Sequence, residues 1–372
     1  MSSPPPLLGA LGASWDLGAP VVAAAWDVEG TTVGFALGDG HLAVADANWA
    51  QGPRVEAKPG GGVNLIPAEA PAPRPLRAVC HQGSCLSIAA DARGGFLTGG
   101  DDGRVVLVPR VGDPAVVAGP SNAWIDAVAC SRSGMRAHSS GRHVQRWQGE
   151  RSEAIELPAP ATALAFSPDG KCLAAAHSGG VTLWADDAST RLLSWNGYHR
   201  ALAWSPDGRF LVTGMQENAL HGWRIADGGD IEMGGYPGQP LSLSFAHDGR
   251  YLVTSGGTRP VCWSFDPPGR KDQPSECGLP SKTPVSCVAC HPRQSLVAVG
   301  YFNGAVLLCQ PGSDAVLFIK GAGGGAINAL VWSGNGSRLA FGTQDGVLGW
   351  LELPEALFRS PAERSRMKES VS

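Results

Sequence analysis

Residues 163–187 read ALAFSPDGKCLAAAHSGGVTLWADD, and residues 201–225 read ALAWSPDGRFLVTGMQENALHGWRI. Each stretch opens with a short apolar run and breaks at Ser-Pro-Asp-Gly. A second apolar run follows, then a polar turn, then a third run that ends in Trp. Proline at the second turn position has its φ already set, and glycine supplies the backbone freedom the turn needs at its end. Apolar runs of this length between turn signals read as strands. The unit is therefore strand, turn, strand, turn, strand.

The unit recurs along the chain. Clear copies are SLSFAHDGRYLVTSGGTRPVCWSF from Ser242 and ALVWSGNGSRLAFGTQDGVLGWLEL from Ala329. Weaker copies begin at Ala23, Ser87 and Ala127, and CVACHPRQSLVAVGYFNG from Cys287 is one more. The first turn of each copy holds Gly30, Gly94, Gly134, Gly170, Gly208, Gly249, Gln294 or Gly336. Successive steps run from 36 to 45 residues, apart from the first, which is 64. A period of roughly 40–45 residues is that of a four-stranded propeller blade. The long first step holds AKPGGGVNLIPAEAPAPRP, which reads as a loop inserted at about 52–78.

On these residues the chain resembles the WD40-repeat β-propeller family, as a divergent member, over roughly residues 12–353. The resemblance implies an all-β fold: a single propeller of four-stranded antiparallel blades, eight from the copy number, with seven as the alternative. It implies closure by pairing of the N- and C-terminal strands, with GASWDLG (12–18) adding an outer strand to the last blade. It also implies a structural tetrad of His, Ser or Thr, Asp and Trp. One copy carries His81, Thr98 and Asp102, with Val108 where Trp is expected; the last copy carries Asp345 and Trp350. Trp147, Trp184, Trp223 and Trp263 occupy the same strand end in other copies. Residues 1–11 read as a flexible tail and 354–372 as a polar one.

Four motifs invite a chemical reading. Cys287-Val-Ala-Cys290-His291 fits the C-x-x-C-H pattern of covalent haem attachment. Aligned on its turn, however, Cys287 stands where other copies have Ala or Ser, and Cys290 where most have Trp or Phe, so the motif reads as an inner strand. Cys80-His81 with Cys85 could supply metal ligands; His81 and Cys85 are the weak metal candidates, against a structural reading of both. His138, His143, His177, His199 and His221 are expected in turns at one end of the propeller. The glycine runs at 60–62 and 321–326 lack the Gly-Lys-Ser/Thr of a phosphate loop. The acidic pairs Asp101-Asp102 and Asp186-Asp187 read as solvated turns.

Composition narrows the function class. The 372 residues carry a net charge of −4 with 17% charged residues, so no basic stripe recommends nucleic acid. The 51 glycines and 29 prolines favour many turns. No apolar run is long enough for a membrane helix. Nine scattered cysteines and an N-terminus without signal-peptide character lead to the expectation of reduced thiols in a cytoplasmic protein. Neither a nucleophile with its base nor a cofactor motif is present. The expected function is a non-enzymatic scaffold whose top face binds another protein, as a monomer or a subunit of a hetero-complex. Trp124, Phe302, Asp101, Arg142 and Gln344 are the candidate contact residues, aromatic and Arg anchors being typical hot spots. The alternatives are a zinc-handling propeller using top-face His and Cys, and a propeller hydrolase or lactonase. The mostly Ala inner strands disfavour the second.

Overall fold

The computed structural model describes residues 6–58, 63–265 and 274–354. Among them the only helix is the single turn Leu8–Leu11, and the rest of the regular structure is β. The chain forms a single β-propeller of four-stranded antiparallel blades. One blade runs Cys85–Ala90, Phe96–Gly100, Val105–Val108 and Ala115–Ala118, hydrogen-bonded in that order. Its second strand is wholly buried and its fourth is mostly exposed. The apolar runs of the repeat thus become the middle of the blade, packed by its neighbours on both faces.

The Ser-Pro-Asp-Gly turns show why the repeat reads so clearly. Ser167 Oγ donates to Asp169 Oδ1 (2.5 Å) and accepts the Cys172 amide (3.0 Å), while the Gly170 amide donates to the Ser167 carbonyl (2.8 Å). The turns at Ser205 and Ser333 repeat this pattern, Asn335 replacing Asp in the latter. Gly170, Gly208 and Gly336 sit at φ +74°, +70° and +77°, where a Cβ would be strained.

Adjacent repeats are tied by indole hydrogen bonds. Trp204 Nε1 donates to the Ala165 carbonyl (3.2 Å) and Trp332 Nε1 to that of Ala289 (3.0 Å), each on the preceding repeat. Trp26 of the first repeat donates to the Val331 carbonyl of the last (3.1 Å). The terminal strand Gly12–Asp16 pairs antiparallel with Val347–Glu352, Gly12 opposite Leu351 and Asp16 opposite Val347.

Three expectations need correction. In place of eight separate blades, the described residues form seven sheets of four or more strands, six with four strands and one with six. The six-stranded sheet spans 161–233. Its strands Cys172–Ala185 and Thr190–Trp204 are 14 and 15 residues long because each runs through a place where the repeat pattern turns. Gly179, Gly180 and Gly197 stand there at positive φ, and strand pairing continues past them, Ser178 lying opposite Tyr198. The N-terminal tail expected at 1–11 is packed from Leu7 onward. The Leu7 amide donates to the Phe318 carbonyl (3.0 Å), and Leu11, 2% exposed, joins a core with Ile319, Leu351 and Leu353. The insertion expected as loop at about 52–78 contains a hairpin of Arg54–Ala57 and Val63–Ile66. It also contains most of Leu76–Val79, the outer strand of the first blade. The polar tail expected at 354–372 lies, from 355 on, outside the described residues.

Candidate interaction face

Antiparallel order places the turns between second and third strands, and the loops between blades, at one end of the propeller. The expected contact residues all lie in such segments, spread over several blades, with Trp124 and Arg142 on the same one. Phe302 follows Val297–Tyr301, is 57% exposed, and is held by its amide donating to the Pro284 carbonyl (3.1 Å). It borders a cleft of about 490 Å³ lined by Pro237–Gln239, Leu241, Ser255–Thr258 and Pro284–Ser286. The cleft walls are pinned through backbone: Gly238 amide to Gly256 carbonyl (3.0 Å) and Val285 amide to Gly257 carbonyl (2.9 Å). Leu241 is also exposed at this rim.

Trp124, 59% exposed, lies in the loop before strand Val128–Cys130 rather than within it. Arg142 comes near that loop, since the preceding Gly141 packs toward Ala123. Its guanidinium donates to the Leu157 carbonyl (2.9 Å) and pairs with Glu156 (3.0 Å). Gln344 is exposed, its amide bonded to the Ala326 carbonyl (2.8 Å). Asp101 departs from the expectation of a free contact residue. Its carboxylate accepts the Ser84 amide (2.8 Å) and braces the loop entering its own blade.

The tetrad-like residues of that blade do meet. His81 contacts Asp102 Oδ1 through Nδ1 and Thr98 Oγ1 through Nε2, both at 3.0 Å, and Thr98 Oγ1 reaches the Val106 carbonyl (3.3 Å). The hydrogen bonds from His81 and the Gln82 and Arg104 amides hold the Asp102 carboxyl below its ordinary range, against the burial that pushes it up. In the last blade Asp345 lies against Gly325, and Trp350 is buried with no hydrogen-bond partner for Nε1 among the described residues.

Other histidines are not displayed at the loop end as expected. His138, His177, His199 and His221 lie in strands and are buried; of these five only His143, which begins a strand, is exposed. His177 contacts Thr182 Oγ1 (3.0 Å), His199 contacts Thr213 Oγ1 (2.7 Å), and His221 contacts Asp230 (3.1 Å) while stacking on Trp195 at 3.8 Å. Sequence reasoning missed these pairs because their spacing differs from the family pattern.

The metal candidates are committed elsewhere. Both ring nitrogens of His81 have partners, and Cys85 is fully buried with its thiol pushed up by burial. Among the described residues no group of three or more His, Cys, Asp or Glu is arranged to hold a metal ion. His291 of the haem-like motif is also fully used. Its Nδ1 accepts the amides of Arg293 and Gln294 (both 3.0 Å), and its Nε2 contacts the Gly336 carbonyl of the next blade (3.0 Å). It thereby caps the turn that lacks glycine. Cys287 Sγ receives the Ser242 hydroxyl (3.6 Å). Cys287→Ala is expected to cost no more than ~1 kcal/mol in urea unfolding, a small cavity being filled in other copies by Ala; a loss of several kcal/mol would refute this account of the slot.

Residues 153–185 and 192–224 match the family "WD domain, G-beta repeat". The chain carries WD40 repeats. Each match begins at the outer strand of one repeat and runs through three strands of the next, and the second falls wholly within the six-stranded sheet. Actin-interacting protein 1 of Caenorhabditis elegans is 22% identical over 203 residues, which cover 53% of this chain and 33% of that protein. Pre-rRNA-processing protein IPI3 of Mycosarcoma maydis is 38% identical over 73 residues, 19% of this chain and 12% of that protein. The matched part is thus a third or less of these curated relatives. In fold the chain is similar to the computationally designed Ika8 protein, with TM-score 0.69 and 15% identity over 91% of this chain and 98% of that one.

Proposed function

We propose that this propeller is a non-enzymatic scaffold that binds another protein, with the cleft bordered by Phe302 as its principal contact. The observation that carries this reading is an exposed aromatic at the rim of a cleft whose walls are fixed by backbone hydrogen bonds. A fixed cleft lets a partner bind with little ordering cost, and a large apolar side chain at such a rim is the kind that dominates binding energy. The two relatives carry names tied to actin interaction and to pre-rRNA processing, which is consistent with work in assemblies. The net charge of −4 gives no electrostatic attraction for nucleic acid. A cytoplasmic location and a role as a monomer or a hetero-complex subunit belong to the same proposal. Trp124, with Arg142 beside its loop, forms a second sector, and Gln344 a third.

Trp204 ties the two halves of the six-stranded sheet with the bond that Trp332 makes between separate sheets. Trp26 and Gly12–Asp16 then close the ring.

The test is recovery of bound partners from native extract by the intact protein and by Phe302→Ala and Trp124→Ala, alone and together. Phe302→Ala is expected to weaken the partner's affinity ~30-fold or more, the loss typical of a hot-spot residue. Equal yield from the native protein and the double variant would remove this face from consideration.

A further inference from the structure

Three cysteines far apart in sequence meet inside the molecule. Cys277 Sγ lies 3.3 Å from Cys309 Sγ and 3.7 Å from Cys262 Sγ. All three are buried, Cys277 completely. Cys262 lies on Val261–Ser264, and Cys277 directly follows the two-residue strand Ser275–Glu276 that pairs with it. Cys309 ends Val306–Cys309 in the next repeat. The backbones are close as well: the Gly278 amide donates to the Ser313 carbonyl (3.0 Å), and a Cβ at Gly278 would stand 3.5 Å from Cys309 Cβ.

We propose that Cys277 and Cys309 form a redox-modification site, a dithiol that hydroperoxides oxidise to a disulfide joining neighbouring repeats. The two sulfurs need to close by little more than an ångström to reach the ~2.05 Å of an S–S bond. Cys277 is the nucleophile of the cluster. Hydrogen bonds from the Cys262 and Cys309 thiols lower its pKa, and the nearby Arg259 guanidinium adds to this against the opposing effect of burial. Arg259 is fixed there, donating to the Cys277 carbonyl (3.4 Å), the Gly278 carbonyl (2.6 Å) and Asp314 (2.5 Å). Its two flanking thiols are pushed up instead, by their bonds to Cys277 and by burial. The strand that leads into Cys277 is short and its side chains are exposed, so a local opening that admits a small oxidant disrupts few contacts.

The chemistry balances. The Cys277 thiolate attacks one peroxide oxygen; an S–O bond forms, the O–O bond breaks, and the departing hydroxide takes a proton to become water. Cys309, as thiolate, attacks the Cys277 sulfur; the S–S bond forms, the S–O bond breaks, and a second water leaves. Two thiols lose two electrons and two protons, and hydrogen peroxide is reduced to two waters.

The experiment treats the purified full chain with hydrogen peroxide, blocks remaining thiols after denaturation, and maps the digest by mass. The expected product is one cross-linked peptide pair holding Cys277 and Cys309, about 2 Da lighter than the reduced pair and separated again by dithiothreitol. Free Cys277 should disappear ~10-fold faster than free Cys287 or Cys290, which lack a neighbouring thiol at this distance. The cross-link should be absent in Cys277→Ser, and the native mapping needs no variant to fold. Full alkylation of both Cys277 and Cys309 after treatment, or a bridge from Cys277 to Cys262 instead, overturns the proposal.

Discussion

Removal of residues 1–16 is expected to destabilise the propeller by more than about 4 kcal/mol, read as a large drop in the urea midpoint at unchanged composition of the remaining sheets. The deletion takes away a whole outer strand, Gly12–Asp16, with its five paired positions against Val347–Glu352. It also takes away Leu11, which is 2% exposed, and the contacts of Leu7, Leu8 and Ala10 with the same core. Loss of one buried Leu side chain alone costs ~2–5 kcal/mol. Val347–Glu352, once unpaired on that side, becomes an open strand edge, and open edges recruit other chains. Light scattering should therefore rise along with the loss of stability. Leu11→Ala separates packing from pairing: it should cost ~3 kcal/mol without exposing the edge or promoting association. A truncated chain as stable and as monodisperse as the native one would show that the terminal strand is dispensable.

That experiment bears on the part of the fold that was hardest to read. The blade itself was legible because its turn chemistry is local: Ser167, Asp169 and Gly170 satisfy each other within six residues, and the same set recurs at Ser205 and Ser333. The packing of Leu7–Leu11 was not, because an apolar trio among prolines and glycines declares itself only once Phe318 and Leu351 are placed beside it. The fusion of two repeats into one sheet was hidden for a similar reason. Gly179, Gly180 and Gly197 look like ordinary turn glycines, and only the pairing of Ser178 with Tyr198 reveals that the ladder passes through.

The candidate site divides along the same line. His81, Thr98 and Asp102 could be named from the resemblance to the family's tetrad, and they meet because they belong to one blade and its entering loop. Asp101, one residue away, looked identical in kind, and its commitment to the Ser84 amide depends on a loop conformation that the sequence does not encode in any pattern. The Cys262, Cys277 and Cys309 cluster was invisible. Its members are 15 and 32 residues apart and come together only because neighbouring repeats pack side by side. His291 is the instructive middle case: its place at the start of a turn was legible, while its service as a cap for two amides was not.

The buried histidines give the second large effect, a loss of stability in mild acid. Burial lowers the pKa of His138 from 6.5 to about 4; its ring sits against Trp147 and its Nδ1 has no hydrogen-bond partner among the described residues. Burial also lowers His199 and His221, in spite of the opposing effect of hydrogen bonds to the Trp195 carbonyl and to the Asp230 carboxylate. An unfolded chain takes up protons at these rings near pH 6.5, whereas the folded chain resists until lower pH. The unfolded state therefore binds more protons in this window, and stability rises with pH across it. The contribution of neutral His138 is complete above pH 6.5 and is lost as pH falls to about 4. A displacement of this size corresponds to ~3 kcal/mol from His138 alone. The carboxylates held low by hydrogen bonds, such as Asp102, add their losses only below their ordinary range near 3.8. Urea unfolding at a series of pH values between neutrality and pH 4 checks this. The native protein should lose stability throughout, and His138→Gln, which cannot take up the proton, should lose less by about the His138 share. Parallel curves for the two proteins would mean that His138 is not held neutral by the fold.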